Sequence, residues 1–174
     1  KKYQAAQNLL EVTRDTEKLV REAQAEVDKA KETLTVKAQA LKKVRVAAAP
    51  KLCDAVTKQM SHLQMGSAQI ELNFEDLPFE QWNKVGSTKI ELMYKPSAQM
   101  TARPLRKIAS GGEVSRVMLA CKVVLGESDV CDTLVFDEVD AGVGGATAVA
   151  LAEVLAQLAK THQVIVVTHL PQVA

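Results

Sequence analysis

The chain has 174 residues, a formal net charge of +1 and 47% apolar residues. That length suits one domain, or one domain with an appendage, and so balanced a charge gives no general pull toward nucleic acid, so any DNA contact would have to be local. No apolar run approaches the roughly 20 residues needed to cross a bilayer, so no membrane partner is expected.

Aromatic residues make up only 3% of the chain, so the core is expected to be aliphatic and Ala-rich. The first residues are polar and charged, unlike a signal peptide. The chain opens on Lys1 rather than Met, which points to a piece of a longer protein. Cys53, Cys121 and Cys131 are odd in number and lack metal-ligand spacing; buried or half-buried thiols in a reducing cytoplasm are expected.

Between residues 1 and 47, Leu9, Val12, Thr16, Leu19, Ala23, Val27, Ala30, Leu34, Ala38 and Leu41 recur at steps of three and four. That spacing predicts one helix of a coiled-coil arm. Its stripe is narrow and half Ala, so the helix needs another alongside; a helix of an ordinary bundle is the alternative. Pro50 sits where a helix could restart, because a first turn has no use for its missing N–H. Leu52, Val56, Met60 and Leu63 then predict a short amphipathic helix ending near Gly66.

From Ala68 the period changes to two. Ala68, Ile70, Leu72 and Phe74, then Ile90, Leu92 and Tyr94, predict two half-buried antiparallel strands. Between them Trp82 reads as a local packing anchor, with a partner-facing aromatic as the alternative. Residues 95–104 read as a loop.

The chemistry lies in residues 105–174. Ser110 and Glu113 form a capping-box pattern that opens a helix. Gly111 and Gly112 bare the backbone N–H groups at that helix start, which by geometry and dipole is an anion site. Thr133–Phe136 is an apolar run typical of a strand buried on both faces, and it ends in Asp137-Glu138. Ligands of open α/β sheets lie beyond the carboxyl ends of strands. Asp137 there suits Mg²⁺, directly or through water, and Glu138 suits deprotonating a water for attack on phosphorus. Solvated acids capping a strand are the bland alternative. Asp140-Ala141-Gly142 begins a glycine-rich turn, a helix is predicted over 146–160, and Val164–Thr168 predicts a second buried strand ending at His169. This β-α-β unit implies a parallel pair with a right-handed crossover, and it brings His169 toward Glu138.

These motifs, in this order, resemble the C-terminal half of an ATP-binding-cassette ATPase head. Ser110-Gly111-Gly112-Glu113 resembles the signature motif and Thr133–Glu138 the Walker B strand with its glutamate. Asp140-Ala141-Gly142 resembles the D-loop, and His169 the switch histidine. The stretches Lys107–Arg116, Phe136–Asp140 and Thr168–Ala174 are most similar to the RecN family of bacterial DNA-repair proteins, relatives of the structural-maintenance-of-chromosomes (SMC) proteins. Val114 and Ala141 depart from that family's usual Leu and Thr. No G-x-x-x-x-G-K-[ST] phosphate loop is present.

The resemblance implies an α/β fold: the C-terminal half of an ABC/SMC-type head, with parallel strands flanked by helices, an antiparallel strand pair and an N-terminal coiled-coil helix. It divides the chain into an arm segment, 1–47, and a head lobe, 48–174. Its implied ligands are ATP and Mg²⁺; its implied partners are an N-terminal head lobe of the same protein, a second head and DNA. In the head dimer, Ser110, Gly111, Gly112 and Glu113 would touch nucleotide held by the other head, while Asp137, Glu138 and His169 act on their own. The implied setting is the bacterial cytoplasm, at the nucleoid, in double-strand-break repair. This chain alone is expected to be inactive. A transporter nucleotide-binding domain is the first rival, opposed by Glu113 and by the coiled-coil stretch. A non-catalytic scaffold is the second, opposed by Asp137 and Glu138 together.

Overall fold

The computed structural model describes residues 2–126 and 131–174, with α1 side chains described at Tyr3 and from Thr13 onward. The first element is a single helix, α1, Lys2–His62. Pro50 lies inside it, so the restart expected there does not occur. Pro50 cannot donate to the carbonyl of Val46, yet one missing bond in so long a ladder is outweighed by tertiary packing on both sides. The helix ends one turn before Gly66. Gln64 takes φ 57°, its N–H donates to Ser61 O at 3.1 Å, and Met65 N–H donates to Met60 O at 3.1 Å. This is a Schellman closure with Gln in the left-handed position that Gly usually fills.

The arm stripe is bare. Thr16, Leu19, Ala23, Val27, Ala30 and Leu34 are all exposed, Leu19 by 65%; the side chains of Leu9 and Val12 lie outside the described residues. Burial begins at Ala38 and becomes complete at Val56, Met60 and Leu63.

Strands β1, Gln69–Asp76, and β2, Thr88–Lys95, pair antiparallel with Ile70 opposite Tyr94 and Phe74 opposite Ile90. A two-residue strand, β3, Arg103–Pro104, joins the far side of β2 within the segment expected to be a loop. The foot of the arm is tied to this hairpin. Lys42 Nζ donates to Asp76 at 2.7 Å and Arg45 to Val85 O at 2.7 Å, while Lys31 sits 5.8 Å from the Phe79 ring centroid. Gly86, at φ 128°, leaves 3.3 Å between an imagined Cβ and both Arg45 and Leu41, so a side chain there would push the arm away. Trp82 is the expected local anchor: its Nε1 donates to Leu77 O at 2.9 Å, and its ring tilts against Phe79 at 4.9 Å. The helix is therefore unbroken at residue 47 and touches the hairpin from Lys31 onward.

The remaining elements are α2, Gly111–Leu125, β4, Thr133–Asp137, α3, Ala146–Leu158, and β5, Gln163–Val167. Strands β4 and β5 pair in parallel, Asp137 beside Val167. One aliphatic core joins everything: Val56, Met60 and Leu63 of α1 meet Ile70 and Tyr94 of the hairpin, Val117 and Leu119 of α2, Phe136 of β4 and Leu151 of α3.

β4 is not covered on both faces. Leu134 and Phe136 are buried, but Val135 is 65% exposed, and Ile165 and Val167 of β5 are exposed beside it. The apolar run is what a doubly covered strand needs; within this chain the helices cover one face only. Cys131 likewise is exposed rather than buried, whereas Cys53 and Cys121 are half-buried. Burial pushes the Cys121 thiol up to about 11, which keeps it protonated and inert.

Replacing Pro50 with Ala tests the continuous helix. It restores the bond to Val46 and is expected to stabilise the chain by roughly 1–3 kcal/mol in denaturant unfolding. A helix that restarted at Pro50 would gain nothing.

Candidate functional site

Ser110 adopts extended backbone, and its Oγ accepts the Glu113 N–H at 3.3 Å. The chain then turns into α2 at Gly111 with Val114 N–H on Ser110 O. That puts Ser110, Gly111, Gly112 and Glu113 on the positive end of the helix.

This turn is pressed onto the end of β4. An imagined Cβ on Gly112 would lie 2.9 Å from Ala141 Cβ and 3.1 Å from the carbonyl oxygens of Glu138 and Ala141. One on Gly111 would lie 2.5 Å from Glu138 Oε2. The two glycines are thus needed for close approach as well as for baring N–H groups. Glu138 itself takes φ 54°, a left-handed conformation that costs a non-glycine residue about 1–3 kcal/mol and is commonest at functional turns. It lets the chain leave the strand sharply and aims the carboxylate at Gly111.

Two further side chains of α2 fasten the loop. Ser115 Oγ donates to Asp137 O at 2.8 Å. Arg116 Nη1 donates to Val139 O at 3.2 Å and Ala141 O at 2.9 Å. Desolvation lowers the Arg116 pKa, yet the group stays charged, and its half-buried cation holds two carbonyls at once. Sequence reasoning assigned no role to Ser115, Arg116 or Thr168. Their signal was weak: Ser115 and Arg116, polar residues in the first turns of a helix, read as solvated, and Thr168 reads as a polar end to the strand before it.

Asp137 and Glu138 are exposed at the carboxyl end of β4. With Leu105, Arg106, Ile108, Ala109, Gly111, Val114 and Ser115 they line an open cleft of about 550 Å³. No hydrogen bond or ion pair engages either carboxylate among the described residues. Asp140 behaves differently. It is 1% exposed, and its Oδ2 accepts Thr168 Oγ–H at 2.6 Å and His169 N–H at 3.1 Å. Burial pushes its carboxyl up, but the bonds from Thr168 and His169 outweigh that and hold it below the usual carboxylate range. The ionised form therefore supports the fold above the unfolded carboxylate range, and that support fades as pH falls through the lowered value.

The parallel pairing brings His169 to the same rim as the acidic pair, as expected. Its direct partner is Asp140 rather than Glu138, with Nδ1 3.2 Å from Asp140 Oδ2. Ala141 and Gly142 sit in the turn beyond, Ala141 against Gly112 and Gly142 at φ 71°. The Ser110–Gly112 turn, Asp137, Glu138, Asp140, Ala141 and His169 thus gather at one sheet edge.

Elements, order and edge define the fold of the C-terminal lobe of an SMC-type head. The Smc head domain with an extended coiled coil from Pyrococcus furiosus, solved bound to the C-terminal domain of ScpA, matches 94% of this chain and 38% of its own at TM-score 0.58 and 22% identity. The Smc head domain with a coiled coil and joint from Pyrococcus yayanosii matches 94% of this chain and 29% of its own at TM-score 0.58 and 21% identity. Among curated sequences, DNA repair protein RecN of Mycobacterium leprae is 42% identical over 169 residues, 87% of this chain and 29% of the relative. RecN of Deinococcus radiodurans is 40% identical over 171 residues, 98% of this chain and 29% of the relative. No family model matches. The chain belongs to the RecN family, and it spans less than a third of the length of these relatives.

The two glycines separate two kinds of contact. Gly112→Ala meets backbone and is expected to cost about 1–3 kcal/mol in denaturant unfolding. Gly111→Ala meets only the end of a flexible side chain, so Glu138 swings aside and stability changes by less than about 1 kcal/mol.

Proposed function

We propose that this chain is the C-terminal head lobe and arm base of a RecN-type ATPase, which couples ATP hydrolysis to engagement of DNA in double-strand-break repair. The observation that carries this reading is the shared rim: Asp137 and Glu138 exposed beyond β4, the Ser110–Gly112 helix start against Glu138, and His169 beyond the parallel neighbour β5. The family's printed name, DNA repair protein RecN, supports the DNA-repair setting.

The residues present fit Mg²⁺ and nucleotide. Asp137 is an exposed carboxylate with no cation paired to it among the described residues, and Mg²⁺ takes few protein carboxylates, drawing its other ligands from water and phosphate. Asp137 would hold the ion, directly or through water. When bound, Mg²⁺ neutralises charge on the phosphate oxygens. Glu138 orients a water and takes its proton as the oxygen bonds the γ-phosphorus and the bond to ADP breaks. His169 meets the nucleotide from the neighbouring strand. Ser110, Gly111, Gly112 and Glu113 present a helix N-terminus to nucleotide bound by a second head, so ATP bridges a homodimer and hydrolysis releases it.

The phosphate loop belongs to an N-terminal lobe of the same protein, the partner we assign to the bare Val135, Ile165 and Val167 face. Residues 1–47 are the arm and 48–174 the lobe. The exposed α1 stripe takes another helix of the coiled coil. Among the described residues no helix is long and apolar enough to cross a membrane, and the reading places the protein in the cytoplasm, at the nucleoid.

In the full-length protein Glu138→Gln is expected to lower steady-state ATP hydrolysis by roughly 100-fold or more, with ATP binding and head dimerisation retained. Normal turnover in that variant would remove Glu138 as the base. The 174-residue chain alone is expected to hydrolyse no ATP; turnover by the purified chain would reveal a phosphate-binding element within it.

A further inference from the structure

We propose that Asp140 is the positioning residue for His169: it holds the imidazole by Nδ1–H and so presents Nε2 to the nucleotide edge. This rests on the reading above for its catalytic consequence, but not for its geometry. The His169 side chain is 73% exposed, the Asp140 side chain only 2%, and Nδ1 stands 3.2 Å from Oδ2. An exposed imidazole ordinarily samples several rotamers and both tautomers. Here a buried anion stands beside one ring nitrogen.

Among the described residues no other cation pairs with that anion. Its remaining side-chain donors are the Thr168 hydroxyl and the His169 backbone N–H, both neutral and both on the same oxygen as the ring. Arg116, the nearby cation of α2, is spent on the carbonyls of Val139 and Ala141. Among the described residues the His169 ring is therefore the one group beside the Asp140 carboxylate that can carry positive charge. A carboxylate accepts and does not donate, so the ring nitrogen facing it must bear the proton. The neutral ring is then the Nδ1–H tautomer, with the Nε2 lone pair turned outward. The backbone bonds contribute to the same end. Thr168 and His169 N–H pin the carboxylate, and Leu170 N–H donates to Thr168 Oγ at 3.0 Å, so the turn that carries the ring is fixed before any ligand arrives.

A merely structural Asp140 would stitch the turn and leave the ring indifferent. The discriminating measurement is long-range ¹⁵N–¹H correlation on the full-length protein labelled at histidine ring nitrogens, with the His169 signal identified by its loss in His169→Gln. The Nδ1–H tautomer is expected for the wild type. Asp140→Ala, which removes the acceptor that faces the ring, should shift the population toward Nε2–H. Thr168→Val, which spares the Asp140–His169 contact, should leave it unmoved. Asp140→Ala should also lower kcat by roughly 10- to 100-fold, the range for loss of a group that orients a functional imidazole, with KM changed little. A wild-type ring that is mainly Nε2–H, or a tautomer population indifferent to Asp140→Ala, overturns the proposal. The expected tautomer in a protein that hydrolyses no ATP would sustain the geometry and refute the ATPase reading instead.

Discussion

The site depends on how closely α2 approaches the loop after β4. Gly112 lies against two carbonyl oxygens and a Cβ, and that distance admits no side chain. Ser115 and Arg116, one turn later, bond three carbonyls of the same loop. Leu119 and Val117 carry the joint into the core. The helix start and the acidic strand end are thus one rigid piece. Anything that moves the Ser110–Gly112 turn moves Glu138 as well. In the head dimer proposed above, that turn would face one nucleotide and Glu138 another, so a piece this stiff would report the state of each to the other.

The left-handed Glu138 belongs to the same constraint. A strand that continued straight would carry Glu138 past the helix start. The sharp exit instead sends Val139 and Asp140 inward, where Val139 is fully buried and Asp140 nearly so. The strained residue is surrounded by fixed neighbours: Gly111 against its carboxylate, Gly112 against its carbonyl, and Ala141 N–H on that carbonyl at 3.0 Å. Strain persists only when the surroundings over-determine it, and these do.

What could be read from the residues were features with local causes. The Ser110 cap, the period-two strands, the β-α-β unit and the acidic strand end each follow from a pattern of a few residues. The parallel pairing of β4 with β5 then placed His169 on the acidic rim without further information. Features that depend on distant packing were not legible. Pro50 reads as a boundary because the local rule is strong, and only burial of Ala49 and Val56 on either side shows that the helix continues. The apolar run of β4 reads as covered on both sides because sequence reports what a strand requires, and this chain supplies cover for one. The roles of Arg116 and Thr168 were invisible for a related reason: their partners are backbone carbonyls and a carboxylate 23 to 28 positions away.

α1 gives this joint its reach. One helix runs from the exposed arm stripe, past the Lys42 and Arg45 bonds to the hairpin, into a core where Val56, Met60 and Leu63 meet Val117 and Leu119 of α2. A break at Pro50 would have decoupled the arm from that core, and there is none. The hairpin bonds sit on exposed side chains, where an ion pair contributes little to stability, so their effect is geometric: with Gly86 admitting Leu41 and Arg45, they set the angle at which the arm leaves the body. A change of arm angle must therefore bend the helix, break those bonds, or turn α1 against α2. The third route leads to the Ser110–Gly112 turn, because α2 is one rigid helix from that turn to the core. The direction of the α1 helix and the position of the Glu138 carboxylate are in this way connected by two helices and one interior contact.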